Sequence, residues 1–172
     1  MRGEVNWRRL FGTVHDIVTL IGFYCAVFCL ALITSIYVYE VGARYFFSAP
    51  TSWSSALVSY LLLYIVFLAM PELTRHRVHV FISIFLDTLP ERQAVMLTRV
   101  LYTIAGIACL IGAYFSFGAT SHQFLTGITT VNEWRVPKWL VSVAIPYGLF
   151  STGLYYLRHV MGRISFCDER VS

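Results

Sequence analysis

The chain has 172 residues, of which 58% are hydrophobic and only 13% charged, against roughly 25% charged in an average soluble domain. A soluble core of this size cannot hide so much apolar surface, which excludes a water-soluble enzyme or binding domain, and the length excludes the two repeated halves of a typical secondary transporter. The net charge of +4 is no nucleic-acid signature either, because the basic residues are dispersed among several connections instead of forming one patch.

Four stretches carry no charged residue: Ile17–Tyr39, Trp53–Met70, Val100–Ser121 and Trp139–Leu157. As helices each would span roughly 27–35 Å, which matches the roughly 30 Å of a bilayer's hydrocarbon core. The expected fold is therefore an all-α integral membrane protein, one domain of four transmembrane helices over residues 1–172. Arg2, Arg8, Arg9, Arg75, Arg77, Arg92, Arg99, Arg158, Arg163 and Arg170 lie before the first run, between the second and third, or after the fourth. The other two connections hold only Arg44, Arg135 and Lys138. Positive residues stay cytoplasmic, so both termini are expected inside.

In chain order, Trp7, Leu10, Phe11 and Val14 share a face at helical spacing, as in a short amphipathic helix lying in the membrane plane. The first apolar run is too long for the 7–15 residues of a cleaved signal's core and is read as a retained span. Gly22, Ala26 and Cys29 form a small-residue face on it, suited to close helix packing. Beyond Tyr39, Glu40 and Arg44 stand four apart and would pair if the helix continued. Arg44 has two readings, an anchor that snorkels to the interface or a clamp between helices or subunits. Pro50 breaks the chain, Thr51 or Ser52 is placed to cap the second span, and Pro71 is expected to end it. Residues 78–89 put Val78, Phe81, Ile82, Phe85 and Leu89 on one side, with His79, Ser83 and Asp87 on another; this is expected to be a second in-plane helix. Gly106, Gly112 and Gly118 mark the third span as one that neighbours approach closely. Pro146 is expected to kink the fourth.

Reactive chemistry is sparse. No carboxylate lies deep in an apolar run, where it would cost at least about 2.5–3.5 kcal/mol, so an ion-conducting role is not indicated. Cys25, Cys29, Cys109 and Cys167 form no CxxC pair and read as small apolar residues. His15, His76, His79, His122 and His159 all fall near span ends or in connections. No catalytic, cofactor-binding or metal-ligating residue is assigned. His15 and His159 sharing one surface keep open the alternative of a haem- or quinone-binding membrane anchor for a redox enzyme.

An ordered set of motifs resembles one family. Arg44-Tyr45-x-Phe47 follows the first span, then Pro50, then Trp53 opening the second. His79 leads into Val80 and Ile82, with Leu89-Pro90 about ten residues on; Pro137-x-Trp139 and Pro146-x-Gly148 come with the fourth span. This order over nearly the whole chain resembles the small membrane subunit of tripartite ATP-independent periplasmic (TRAP) transporters. Ser55 stands where that family usually has a glutamate and Ser83 where it often has an aspartate, and Pro71 is also unusual. The resemblance implies a multi-pass protein of the bacterial inner membrane. Its expected partners are a large membrane subunit that carries organic acids with sodium, a periplasmic substrate-binding protein and the lipid bilayer, with no nucleic acid. It implies a scaffold role without substrate chemistry. Arg44, Tyr45, Trp53, Ser55, His79 and Trp139 are the expected interface or structural positions.

Overall fold

The computed structural model describes residues 4–47, 53–76, 91–130 and 136–161. Among them are the helices α1 (Glu4–Phe47), α2 (Ser54–Arg75), α3 (Glu91–Thr126), α4 (Lys138–Ser142) and α5 (Ala144–Met161). Four stretches are long and apolar enough to cross a membrane: Gly12–Phe46, Ser54–Arg75, Met96–Thr126 and Lys138–Val160. The protein is all-α, and each charge-free run of the sequence falls on one of these stretches.

The helices outrun the apolar runs. Helix α1 has 44 residues, about 66 Å at 1.5 Å per residue. No proline interrupts it. The N-terminal segment therefore forms no helix of its own but continues into the first span, and the helix runs on through Glu40 and Arg44 to Phe47. Helix α2 begins at Ser54 with Trp53 at its N-cap and no side-chain cap; Thr51 and Ser52 lie outside the described residues. So does the expected in-plane helix 78–89, with His79 and Ser83.

Pro71 does not close α2, contrary to the expectation from sequence. The helix passes through it to Arg75. Proline supplies no N–H for the carbonyl four residues back, here that of Phe67, and a neighbouring helix covers the gap. A Cβ on Gly148 would overlap the Phe67 carbonyl oxygen and stand 2.8 Å from the Phe67 Cβ. Only glycine lets α5 come so close, and packed neighbours are what make proline tolerable inside a membrane helix. The break expected at Pro146 falls slightly upstream. Pro146 gives no N–H to Ser142, and the helix is interrupted at Val143, between α4 and α5.

Helix α1 packs along α2, α2 along α5, and α5 along α3. Thr19, Gly22, Ala26 and Ile33 are the buried seam of α1, spaced three, four and seven residues apart as in left-handed helix pairs. Gly22 faces Leu68 and the Tyr147 hydroxyl, so the small-residue face foreseen in the first span is used. Between α3 and α5, Gly106 and Gly153 face each other, each within 3.7 Å of the other's carbonyl oxygen if a Cβ is added. Gly112 meets Leu149, whereas Gly118 has open space.

Two outcomes follow for the α2–α5 seam. Gly148→Ala should lower thermal stability in detergent by the equivalent of about 1–3 kcal/mol, the usual cost of overpacking, while Gly118→Ala should leave the melting temperature unchanged. The Thr152 hydroxyl, one turn along from Gly148, is fully buried and has no hydrogen-bond partner. Thr152→Val, which removes that hydroxyl at nearly constant volume, should leave the melting temperature equal or raise it; a clear fall would show that the hydroxyl is bonded.

Candidate functional site

Polar side chains gather at the two ends of the helix row. At one end the start of α1 meets the ends of α2 and α5. Tyr155 donates its hydroxyl to Asp16 Oδ1 at 2.9 Å, and Arg158 Nη1 donates to the same oxygen at 2.8 Å. Arg75 Nη2 stands 3.8 Å from Asp16 Oδ2. One carboxylate thus joins three helices. The single phenolic proton of Tyr155 goes to Asp16, and the fully buried Thr19 hydroxyl lies 2.9 Å from the same oxygen, with the His15 and Asp16 carbonyls also in its reach at 3.1 and 3.0 Å. The Arg158 guanidinium also lies over the Tyr155 ring, 5.3 Å from its centroid, a cation–π contact. Gly12 leaves the room it needs: a Cβ there would sit 3.2 Å from Arg158 Nη2.

The tie extends sideways. Glu72 is almost wholly buried in α2 and takes Arg75 at 3.2 Å and the His76 ring at 3.0 Å. His15 Nε2 is 2.8 Å from the Ser151 hydroxyl, and its ring stacks on Tyr155 at 4.5 Å. His159 Nε2 donates to the Thr74 carbonyl at 3.1 Å. Both histidines of the redox-anchor alternative thus have partners within the chain. Tyr102 of α3 sits beside Tyr156 and His159, which brings the fourth helix to the same end. Among the described residues, no group of three or more His, Cys, Asp or Glu is placed to hold a metal ion.

At the opposite end Glu40 does the equivalent work. Arg44 Nη2 donates to Glu40 Oε1 at 2.9 Å, and Ser54 donates to Glu40 Oε2 at 2.7 Å. This fastens α1 to the first turn of α2. Tyr39 and Trp53 lie together alongside, 6.4 Å between centroids. Farther along the row, Tyr64 of α2 donates to the Leu140 carbonyl. Trp139 meets Phe124 edge to face at 5.3 Å, and Ser142 donates to Gln123 at 2.8 Å.

Of the positions singled out in the sequence, Arg44 and Trp53 come together on the Glu40 tie. Trp139 stands across the row on α4. Ser55 is exposed on α2; the hydroxyl that meets α1 belongs to Ser54. Tyr45 projects from α1 with 82% of its surface exposed. The Asp16 tie was not anticipated, although a signal existed: Asp16, Arg75 and Arg158 each flank a different span on the side richest in arginine.

The shape alone fits many small membrane subunits. Residues 33–166 match a family described as the DctQ component of tripartite ATP-independent periplasmic transporters. The chain belongs to that family. No curated protein matches it. The protein is thus a small subunit of a TRAP transporter, and such subunits work with a large membrane subunit and a substrate-binding protein. The match takes in α2, α3 and α5 whole, together with the Glu40 tie, and leaves Asp16 ahead of it.

The Asp16 tie should be measurable as coupling. Asp16→Asn and Arg158→Met, made singly and together, should show an interaction free energy of about 1 kcal/mol in thermal or chemical unfolding. That sits near the upper end for a partly exposed pair, because Tyr155 and Arg75 hold the carboxylate in place. Additive single effects would remove the tie from the account.

Proposed function

We propose that this TRAP subunit is a stationary scaffold. It is fixed in the bacterial inner membrane with both termini cytoplasmic, and it braces the large subunit of a sodium-coupled importer of organic acids. The observation that carries the reading is where its carboxylates go. Asp16 and Glu40 flank the first apolar run and Glu72 sits in the last turn of α2, and each is engaged by cationic or hydroxyl groups of the same chain. Groups used in this way stiffen the row at both ends.

A domain that moves substrate across a membrane needs a counterpart that stays put. Helices tied at both levels resist sliding past one another. The sorting of arginines, ten against three, supports placing the Asp16 end in the cytoplasm. The start of α1 and the end of α5 share that end, as the Asp16–Arg158 pair requires. Sodium coupling and a carboxylate substrate are carried by the family's usual partners and belong to the large subunit and the binding protein, not to residues of this chain.

The test is assembly and transport together. A tagged copy of this chain, solubilised in mild detergent, should bring down a much larger membrane protein in fixed ratio, and deleting it should abolish uptake of an organic acid. A chain that purifies alone, with uptake intact after its deletion, would sink the scaffold reading.

A further inference from the structure

Helix α1 is longer than a membrane requires, and the excess at the Arg44 end has a composition of its own. The Asp16 ion pairs fix one level, because paired charges belong at the edge of the hydrocarbon and not within it. Phe46 lies thirty residues on, about 45 Å along a straight helix. With an average tilt of about 20° the rise is still about 42 Å. The hydrocarbon core takes up about 30 Å of this and one headgroup layer about 5–8 Å more. A second marker agrees. Tyr39 and Trp53 lie together, as aromatic residues do at headgroup depth. Phe46 is seven residues beyond Tyr39, about 10 Å further out.

This last turn carries Arg44, Tyr45 and Phe46. Tyr45 is 82% and Phe46 85% exposed, and the Arg44 side chain is 62% exposed. Along the lipid-facing stretch such exposure needs no explanation, since acyl chains cover it. Above the headgroups it leaves two large aromatic rings in water. Arginine beside tyrosine and phenylalanine is the mixture enriched in protein–protein interfaces. Glu40 meanwhile holds Arg44 by one nitrogen and is itself held by Ser54. The guanidinium is thereby anchored at one nitrogen while the side chain stays largely exposed.

The geometry points to the Arg44–Tyr45–Phe46 turn as a docking surface for the soluble substrate-binding protein. That partner would present an apolar pocket for the two rings, with a carboxylate at its rim for Arg44. This inference rests on the proposed orientation, with the Asp16 end in the cytoplasm. It singles out the binding protein because that partner arrives from water, on the level where the patch stands; in the scaffold reading the large subunit lies against the lipid-embedded faces.

The experiment uses the complex of this chain with its large subunit, embedded in nanodiscs, and the cognate substrate-binding protein as the probe. Two variants are compared with the unaltered complex: the double change Tyr45→Ser with Phe46→Ser, and Arg44→Gln, which leaves Glu40 bonded to Ser54. Both should retain the large subunit in normal ratio. The double variant should weaken binding of the soluble protein about tenfold or more, as loss of anchoring aromatics does. Arg44→Gln should flatten the dependence of affinity on ionic strength. Affinity within twofold of the unaltered complex for both variants would overturn the inference and leave the turn a lipid anchor. Loss of the large subunit from either variant would also overturn it, by placing the turn in the membrane interface. If the unaltered chain retained no large subunit at all, the scaffold reading itself would fail, a result visible before any soluble protein is added.

Discussion

Asp16 sets the level from which the whole row of helices is measured. Apolar helices in lipid gain little by touching one another, because acyl chains are as apolar as leucine. Contact must be earned by groups that lipid cannot satisfy. A carboxylate at the membrane edge is such a group, and here it takes Tyr155, Arg158 and, more distantly, Arg75. Those residues sit on α5 and α2, so the charge cannot be satisfied unless the start of α1 and both other helix ends arrive at one height. Glu40 repeats the logic at the far end with a shorter reach, joining α1 to α2 alone. The row is fixed more broadly at the Asp16 end, where Tyr102 adds α3.

Between these ends, close approach replaces polar bonding. The α2–α5 contact at Gly148 is the closest approach at any glycine among the described residues, and two residues that would normally weaken a helix make it. Pro71 withholds an N–H from the Phe67 carbonyl, and Gly148 presents a bare Cα to that carbonyl, which permits a weak C–H···O contact. Gly106 and Gly153 do the same for α3 and α5. Helix α5 therefore lies between two partners at backbone distance, and the stretch Lys138–Val160 that contains it and α4 is the most buried of the four, 44% of its apolar window against 17% for each of the others. Its glycines give it the slender profile that an inner position demands.

The sequence disclosed the features that depend on one residue or one period. A missing charge over some twenty residues is visible without neighbours, so the four membrane-crossing stretches were legible. The Glu40–Arg44 pair was legible because four residues make one helical turn. The Ser54 bond to Glu40 was not legible, since a step of one residue turns a helical side chain by about 100° and nothing local says which of Ser54 and Ser55 faces α1. Pro71 misled for a related reason. The rule that proline ends helices is local, and what overrides it is a glycine 77 positions away on another helix. Arg158, 142 residues from Asp16, illustrates the limit most plainly: each residue looks like an ordinary edge charge until the fold sets them side by side.

The order of the row carries the last step. Helix α1 and helix α3 stand at its two ends, each packed chiefly on one neighbour. Most of α1 from Val14 to Phe46 is therefore open apart from its seam, with large side chains such as Tyr24, Phe28 and Val38 exposed; on α3, Tyr114, Phe115 and Phe117 are exposed likewise. A closed bundle would have turned these faces toward each other. An open row keeps them along its flanks while Asp16, Glu40 and Glu72 are bonded within the chain. That arrangement is what the proposed scaffold role calls for, a wide row with apolar flanks. On α1 the polar and aromatic groups beyond the apolar run gather at the turn after Glu40, where a guanidinium held by its own carboxylate stands beside two exposed rings.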